Sequence, residues 1–262
     1  MKFNRSLSSG NRRAAAWALS FTTALFVCCI GFSSSAFAIT LGQVNDFQDG
    51  ALSGWTGGGG TMMSVPSAQI ITGGGPAGVG DNYMLISSGS TSGNRLLTVG
   101  SSQWIGNFSA AGVNAVAVDL LNPSTIDLSM RAAIREGTQS SAPGYVSSVA
   151  FNLPADNLWH HFVFPIDAAD MTGINGSGSP APVPQPFATD IGNVVEFRIL
   201  DAKTPMLMGE PFSSTTTPTS ASFGIDNITA VPEPGGIVLL AFGALLLTIG
   251  ATKIRVQHAR LE

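Results

Sequence analysis

Short apolar runs alternate with turn residues through the middle of the chain. Residues 126–135 place apolar side chains at every second position, which predicts a strand with one face in the core and the other in water. Residues 115–121 are apolar at almost every position, as in a strand inside a sheet. Because no helical period separates such runs, the pattern predicts an all-β fold, an antiparallel β-sandwich. The predicted strands are residues 41–47, 61–72, 82–87, 95–99, 114–121, 126–135, 145–153, 159–166, 194–200 and 222–229.

A different pattern occupies the C-terminus. Residues 235–252 form an uninterrupted apolar run, long enough for a helix of about 27 Å that would span a bacterial membrane. Basic residues follow in the tail 253–262 and act as a stop-transfer signal, so the body should lie across the membrane from a cytoplasmic tail. The motif before the run is Val231, Pro232, Glu233 and Pro234, and the basic residues after it include Lys253, Arg255 and Arg260.

The N-terminus has the order of parts of a secretory signal peptide. Four basic residues precede an apolar stretch, and small residues follow at Ala36 and Ala38. We therefore expect signal peptidase to cut after Ala38, which makes residues 1–38 the signal peptide; an uncleaved signal anchor is the alternative. Both cysteines, Cys28 and Cys29, lie in this segment. The exported chain would then have no disulfide or thiol chemistry.

The C-terminal segment, residues 231–262, resembles the sorting segment of PEP-CTERM proteins of Gram-negative bacteria. The resemblance rests on the Pro-Glu-Pro motif, one short apolar helix and a basic tail, in that order at the end of the chain. It implies processing by an exosortase, a membrane protease that cuts at or near the motif, and delivery toward the cell surface. An ordinary tail anchor with a chance proline pair is the alternative.

The remaining residues, 39–230, make one ectodomain of ordinary size. Between residues 39 and 231 there are five basic and fourteen acidic side chains, a net charge of −9. A body this acidic is not expected to bind nucleic acid through phosphate contacts, whereas cations and neutral glycans remain open. The five basic residues are Arg95, Arg131, Arg135, Arg198 and Lys203.

Three stretches of the body, residues 46–56, 158–166 and 223–228, resemble parts of jelly-roll carbohydrate-binding-like domains. The resemblance implies a jelly-roll β-sandwich, and in related domains acids of the first and last strands help to hold a structural Ca²⁺. The matching residues here are Asp46, Asp49 and Asp226. The alternative is that these side chains make ordinary turn and edge hydrogen bonds.

Aromatic side chains are the candidates for glycan contact, because their faces can cover the apolar surface of a sugar ring. The candidates are Trp104, Trp55 and Trp159, with Tyr83 and Tyr145, and the alternative for each is a place in the core.

No catalytic residue is predicted. His160 and His161 are adjacent in a strand and should face opposite ways, which argues against a shared zinc ion. Asp167 and Asp170 are better explained as a turn cap than as paired glycosidase carboxylates.

These patterns together predict an exported, non-enzymatic protein of the cell surface or exopolysaccharide matrix, acting by glycan binding or scaffolding in a biofilm. It would be anchored in the membrane until exosortase processing. Two alternatives stay open: a secreted glycan-active enzyme, either a lyase or a hydrolase, and a structural coat protein without a ligand.

Overall fold

A computed structural model describes residues 39–57, 67–88, 94–100, 102–138, 141–176, 185–212 and 220–232. All of them belong to one compact unit, Phe37–Glu262. The predicted signal peptide with its cleavage site, Glu233 and Pro234, the apolar run 235–252 and the basic tail lie outside the described residues. Within the described ranges, no helix is long and apolar enough to cross a membrane.

Thirteen strands and two short helices make up the described chain. The strands are β1 (Val44–Asn45), β2 (Thr56–Gly57), β3 (Ser67–Ile71), β4 (Tyr83–Ser87), β5 (Leu97–Val99), β6 (Ala115–Leu121), β7 (Leu128–Arg135), β8 (Gly144–Ser147), β9 (Phe151–Leu153), β10 (Trp159–Pro165), β11 (Met171–Ile174), β12 (Glu196–Asp201) and β13 (Ser222–Val231). The helices are α1 (Phe108–Ala111) and α2 (Phe187–Ile191), and a 3-10 turn covers Ser102–Trp104.

The strands form two antiparallel sheets. Sheet A has the order β10-β6-β13-β4-β3 with β1 paired to β13, and sheet B has the order β11-β8-β7-β12-β5-β2 with β9 paired to β7. Eight of these strands form the two four-stranded layers of a jelly roll. The layer β10-β6-β13-β4 faces the layer β8-β7-β12-β5. The predicted antiparallel jelly-roll sandwich is thus confirmed.

The main core lies between the sheets, where alternate residues of each strand point inward. Val116, Val118 and Leu120 of β6 face Met130 and Ile134 of β7, and all five are buried. The prediction that 115–121 lies inside a sheet is therefore confirmed, since β6 pairs with β10 on one side and β13 on the other.

Two sequence expectations about strands need correction. The predicted strand 145–153 is two strands, β8 and β9, because residues 148–150 leave the ladder and the chain pairs with different parts of β7 on either side. The polar face of 126–135 was expected in water, but Arg131 and Arg135 are only 3% and 1% exposed. A second apolar cluster covers this outer face of sheet B: Leu97, Ala133, Val146, Ile174, Leu200, Ala202 and Leu207.

Candidate functional site on the outer face of sheet A

The outer face of sheet A carries the candidate site. In the strand register, Trp159 lies beside Leu121, which lies beside Gly224. One step further along the strands, His161 lies beside Asp119, and Asp119 beside Asp226. Side chains two residues apart on a strand share a face, so these residues form two adjacent polar and aromatic rows.

Trp159 and Tyr83 form an aromatic pair on this face, with ring centroids 5.2 Å apart and planes at 84°. The indole N–H of Trp159 donates to the carbonyl of Gly74 at 2.9 Å, which fixes the ring against the glycine-rich loop 73–80 between β3 and β4. Gly224 supplies the floor, since a Cβ there would lie 3.0 Å from Tyr83 Cε2. We call Trp159, Tyr83 and Gly224 the aromatic platform. Both rings are partly exposed, so an apolar ring surface is offered to solvent.

A polar rim borders the aromatic platform. His161 Nδ1 lies 2.8 Å from Asp119 Oδ1, and Asn227 Nδ2 donates to the other oxygen of the same carboxylate at 2.8 Å. The His161 side chain is 62% exposed and that of Asp119 is 18% exposed. An imidazole and an amide held in fixed orientation beside aromatic rings can exchange hydrogen bonds with hydroxyl groups of a sugar.

The structure corrects the expectation for the other two tryptophans. Trp55 and Trp104 are 1% and 0% exposed, and their rings lie in the core with centroids 5.8 Å apart. Both indole N–H groups donate to the buried Asn45 Oδ1. Stacking on a glycan is therefore excluded for both in this structure, because their ring faces are covered by protein.

Only Trp159, of the three predicted tryptophans, lies at a surface. The sequence signal that separates it is weak: it begins an edge strand beside an exposed loop, whereas Trp55 and Trp104 each follow turns that close over the core. Tyr145 packs against Phe187 and donates its hydroxyl to the Gln185 carbonyl, so it belongs to the packing of α2 instead.

Asp226 is the unusual carboxylate of this face. It is 0% exposed, and no described side chain donates a hydrogen bond to either oxygen. Burial raises its pKa to about 7; the backbone N–H of Asn227 opposes the shift, and the charges of Asp81, Asp119 and Asp46 add to it. A buried carboxyl that no side chain compensates either holds a proton or requires a cation.

Oxygen atoms converge a short distance away. Gln48 Nε2 lies 2.9 Å from the Asp46 carbonyl, 2.5 Å from Asp81 Oδ1 and 3.2 Å from the Asn82 carbonyl. Carboxylate and carbonyl oxygens in such mixtures are the ligands that Ca²⁺ takes, so the chemistry of the donors fits calcium. In the described residues, however, no three His, Cys, Asp or Glu side chains are grouped as a metal site.

The predicted calcium residues are thus separated in role. Asp46 and Asp226 lie near each other, because β1 pairs with β13 at Val44 and Asn45. Asp49 instead accepts a hydrogen bond from the Ala51 N–H at 2.9 Å within its own turn. Sequence reasoning missed Asp81 and Gln48, whose oxygens reach this region from the loop before β4 and the loop after β1.

The remaining candidate groups have structural roles. Asp167 Oδ1 accepts from the N–H groups of Ala169 and Asp170, which confirms the turn-cap interpretation. His160 lies 3.0 Å from Asp156, while His161 contacts Asp119. The two histidines therefore have different partners, which agrees with the expectation that they face opposite ways. Val231 ends β13, and its carbonyl accepts from the Asn114 N–H.

The sequence matches no protein-family model and no curated protein. Solved structures with a similar outline include the Family 11 carbohydrate-binding module from Clostridium thermocellum in complex with a β-1,3-1,4-mixed-linked tetrasaccharide, at 16% identity, TM-score 0.46, and coverage of 74% of this chain and 97% of that one. The CBM22-2 xylan-binding domain from Paenibacillus barcinonensis Xyn10C has 14% identity, TM-score 0.40, and coverage of 72% and 99%. An exo-β-agarase has 12% identity, TM-score 0.45, and coverage of 74% of this chain and 26% of the agarase. At these values the similarity gives no residue roles and no ligand.

Proposed function

We propose that this chain is an exported, non-enzymatic protein that binds a neutral glycan of the cell surface or exopolysaccharide matrix through the aromatic platform. The observation that carries the proposal is the partly exposed Trp159, held by Gly74 and packed edge-to-face on Tyr83. Exposed aromatic faces beside fixed hydrogen-bonding groups are how proteins hold sugar rings.

The charge of this face sets the class of glycan. Asp46, Asp81, Asp119 and Asp226 surround the region, and each of the first three raises the pKa of the fourth. The described contacts of the basic residues Arg95, Arg131, Arg135 and Arg198 are instead made on the other sheet and its covering segment. Uronic acid or sulfated glycans would be repelled at this face, so the ligand is an uncharged polysaccharide.

The test is a glycan array probed with the full chain in detergent. We expect saturable binding to a neutral polysaccharide that Trp159→Ala abolishes, because the stacking surface is lost. Leu158→Ala is the matched control, since this neighbour is 61% exposed and lies outside the aromatic platform. A blank array, or equal binding by Trp159→Ala, would reject the platform and favour a structural coat protein.

Calcium is also proposed, as a structural ion bound beside Asp226 of sheet A. Asp226, with Asp46 and Asp81, would hold it, and the ion would neutralise charges that the fold brings together. The support is the buried Asp226 carboxyl, to which no described side chain donates, and the oxygen atoms around Gln48. When bound, the ion supplies stability only and takes no part in glycan contact.

Export and sorting complete the proposal. Signal peptidase would release residues 1–38, and an exosortase would act near Val231, Pro232, Glu233 and Pro234 to free the domain from its transient anchor in the inner membrane of a Gram-negative bacterium. Pro232→Ala combined with Glu233→Ala should leave an uncleaved, membrane-retained form in its host, seen as a mass shift on a blot. If that variant is processed at the normal rate, the exosortase part of the proposal is wrong. The glycan-binding part of the proposal is not affected by that result.

A further inference from the structure

Strand β10 forms one edge of sheet A. Among the residues that the structure describes, β10 pairs with β6 on one side and with no strand on the other. It has seven residues, whereas the edge strands β3, β11 and β2 have five, four and two. β10 is therefore the longest free edge of the described sandwich.

The sequence of β10 lacks the features that protect sheet edges. It reads Trp-His-His-Phe-Val-Phe-Pro, with no lysine, no acidic residue, and proline at its last position alone. Its register with β6 runs without a bulge from Trp159 to Pro165. Natural proteins usually guard an exposed edge with charges, bulges or short strands, because unpaired N–H and C=O groups otherwise recruit another strand.

The phase of the ladder shows which backbone groups face outward. The Ile166 N–H donates to the Asn114 carbonyl at 2.7 Å, directly after the last strand residue. Since hydrogen-bonded pairs alternate along an antiparallel ladder, Phe162 and Phe164 bond to β6, while His161 and Val163 direct their N–H and C=O groups away from it. Pro165 also directs its backbone groups away from β6, so its missing N–H removes no hydrogen bond between β10 and β6.

We infer that β10 pairs antiparallel with β10 of a second copy of this chain, about a two-fold axis at Phe162. In this register each His161 lies opposite Val163 of the second copy, and each Phe162 lies opposite its own mate. No two ionisable side chains are directly opposed, and each copy offers the same donors and acceptors, so the edge is self-complementary.

Phe162 gives the pairing its apolar contact. Its ring is partly exposed at the edge of the core, with centroids 5.3 Å from Phe151 and 6.5 Å from Phe164. Pairing at this residue would bury the remaining ring surface of both copies against each other. Cross-strand aromatic pairs are among the more stabilising contacts in antiparallel sheets.

The dimer has a consequence for the surface already described. Joining the two copies through β10 makes one continuous sheet from both sheets A, with both outer faces on the same side. Trp159 of each copy then lies on one surface, so two aromatic platforms could engage a single polymer and raise its apparent affinity without new contacts.

A crosslinking experiment tests the register. In a Cys28→Ser, Cys29→Ser background of the full chain in detergent, Phe162→Cys should form a disulfide-linked dimer on mild oxidation, because the two side chains meet on the axis. Gln69→Cys, on β3 at the opposite edge of sheet A, is the control and should stay monomeric. Equal crosslinking of both variants, or none for Phe162→Cys, would overturn the inference.

A second variant tests the pairing without disturbing the fold. Val163→Pro removes an outward N–H and leaves the bonds to β6 in place, so the chain should keep its melting temperature but sediment as a monomer. The unmodified chain should show a concentration-dependent dimer under the same conditions. A monomeric unmodified chain, or a dimer that survives Val163→Pro at full strength, would contradict the inference. Neither result depends on glycan binding.

Discussion

The outer faces of the two sheets differ in solvent exposure, although inward-facing and outward-facing residues alternate along the strands of both sheets. On sheet A three outward side chains stay accessible: Trp159 and Tyr83 are partly exposed and His161 largely so. On sheet B the outward Arg135 and Arg198 are 1% and 5% exposed. Strand alternation therefore tells which residues share a face, while a separate covering segment decides whether that face meets water.

The covering segment on sheet B is residues 202–212, and arginines hold it by its backbone. Arg131 donates to the carbonyls of Ala202 and Lys203, Arg198 to that of Leu207. Arg95 donates to the carbonyl of Gly209. The few basic residues of an acidic domain thus stabilise the closed face, and the open face is left acidic.

The closed face depends most on Glu196. Its carboxylate accepts from Arg135 at 3.0 Å and from Arg198 at 2.7 Å, and all three side chains are buried. Glu196→Ala would leave two buried guanidinium groups facing each other, which should lower the free energy of unfolding by about 3–5 kcal/mol. Chemical denaturation measures this.

The exposed pair of His160 and Asp156 at the start of β10 supplies the control for that experiment. Asp156→Ala removes the partner of His160, but both side chains are about one-third exposed, so stability should change little. If both variants lose similar stability, burial does not set the contribution of the Glu196 pairs as described.

Leu207→Ala tests whether the covering segment contributes to stability independently of the aromatic platform. It is 3% exposed and packs in the second apolar cluster with Leu97 and Leu200. Leu207→Ala should cost about 2–4 kcal/mol and increase hydrogen exchange at residues 202–212. Glycan binding at the aromatic platform should be unchanged, and a loss there would show that the two faces are coupled.

Sequence reasoning recovered the fold because jelly-roll strands carry a local signal. The alternation in 126–135 and the apolar run 115–121 each report the two sides of one strand, and both strands are found. The burial of Arg131 could not be predicted in the same way, because it depends on carbonyls about 70 residues away. Nor could the roles of the tryptophans, since Trp55 and Trp104 meet at Asn45 only in the folded chain.

Two buried carboxyl groups, those of Asp226 in β13 and Asp190 in α2, should make the stability of the protein depend on pH. Burial raises the pKa of Asp226 to about 7, and burial with a hydrogen bond to Glu136 raises that of Asp190 to about 7. Because the unfolded pKa is about 4, the folded state alone keeps these protons between pH 4 and 7. The free energy of unfolding should therefore fall as pH rises through that window, by at most about 4 kcal/mol for each group, since one pKa unit corresponds to about 1.4 kcal/mol.

Asp226→Asn and Asp190→Asn separate the two contributions. Each substitution should remove the contribution of its own residue to the fall in melting temperature between pH 4 and 7. Ca²⁺ should stabilise the protein most above pH 7, where Asp226 is ionised, and this gain should vanish in Asp226→Asn but persist in Asp190→Asn and Asp49→Asn. A calcium effect that survives Asp226→Asn would place the ion elsewhere.

The smallest expected effect tests the aromatic platform itself. In Gly224→Ala the new Cβ would lie 3.0 and 3.1 Å from Tyr83 Cε2 and Cδ2 and 3.2 Å from Leu121 Cβ, so the Tyr83 ring must shift by a few tenths of an ångström and its contact with Trp159 is disturbed. An edge-to-face aromatic pair contributes about 0.5–1.5 kcal/mol, which corresponds to a loss of glycan affinity of roughly 2- to 10-fold. Titration calorimetry with the polysaccharide identified on the array measures this.

A double-mutant cycle assigns that loss to its cause. In a Tyr83→Ala background the added methyl group meets no ring, so Gly224→Ala should have no further effect on affinity. If the two losses add instead, Gly224 acts on the strand and not through Tyr83, and Trp159 alone would carry the stacking. The cycle therefore distinguishes a two-ring platform on the open face from a single exposed tryptophan.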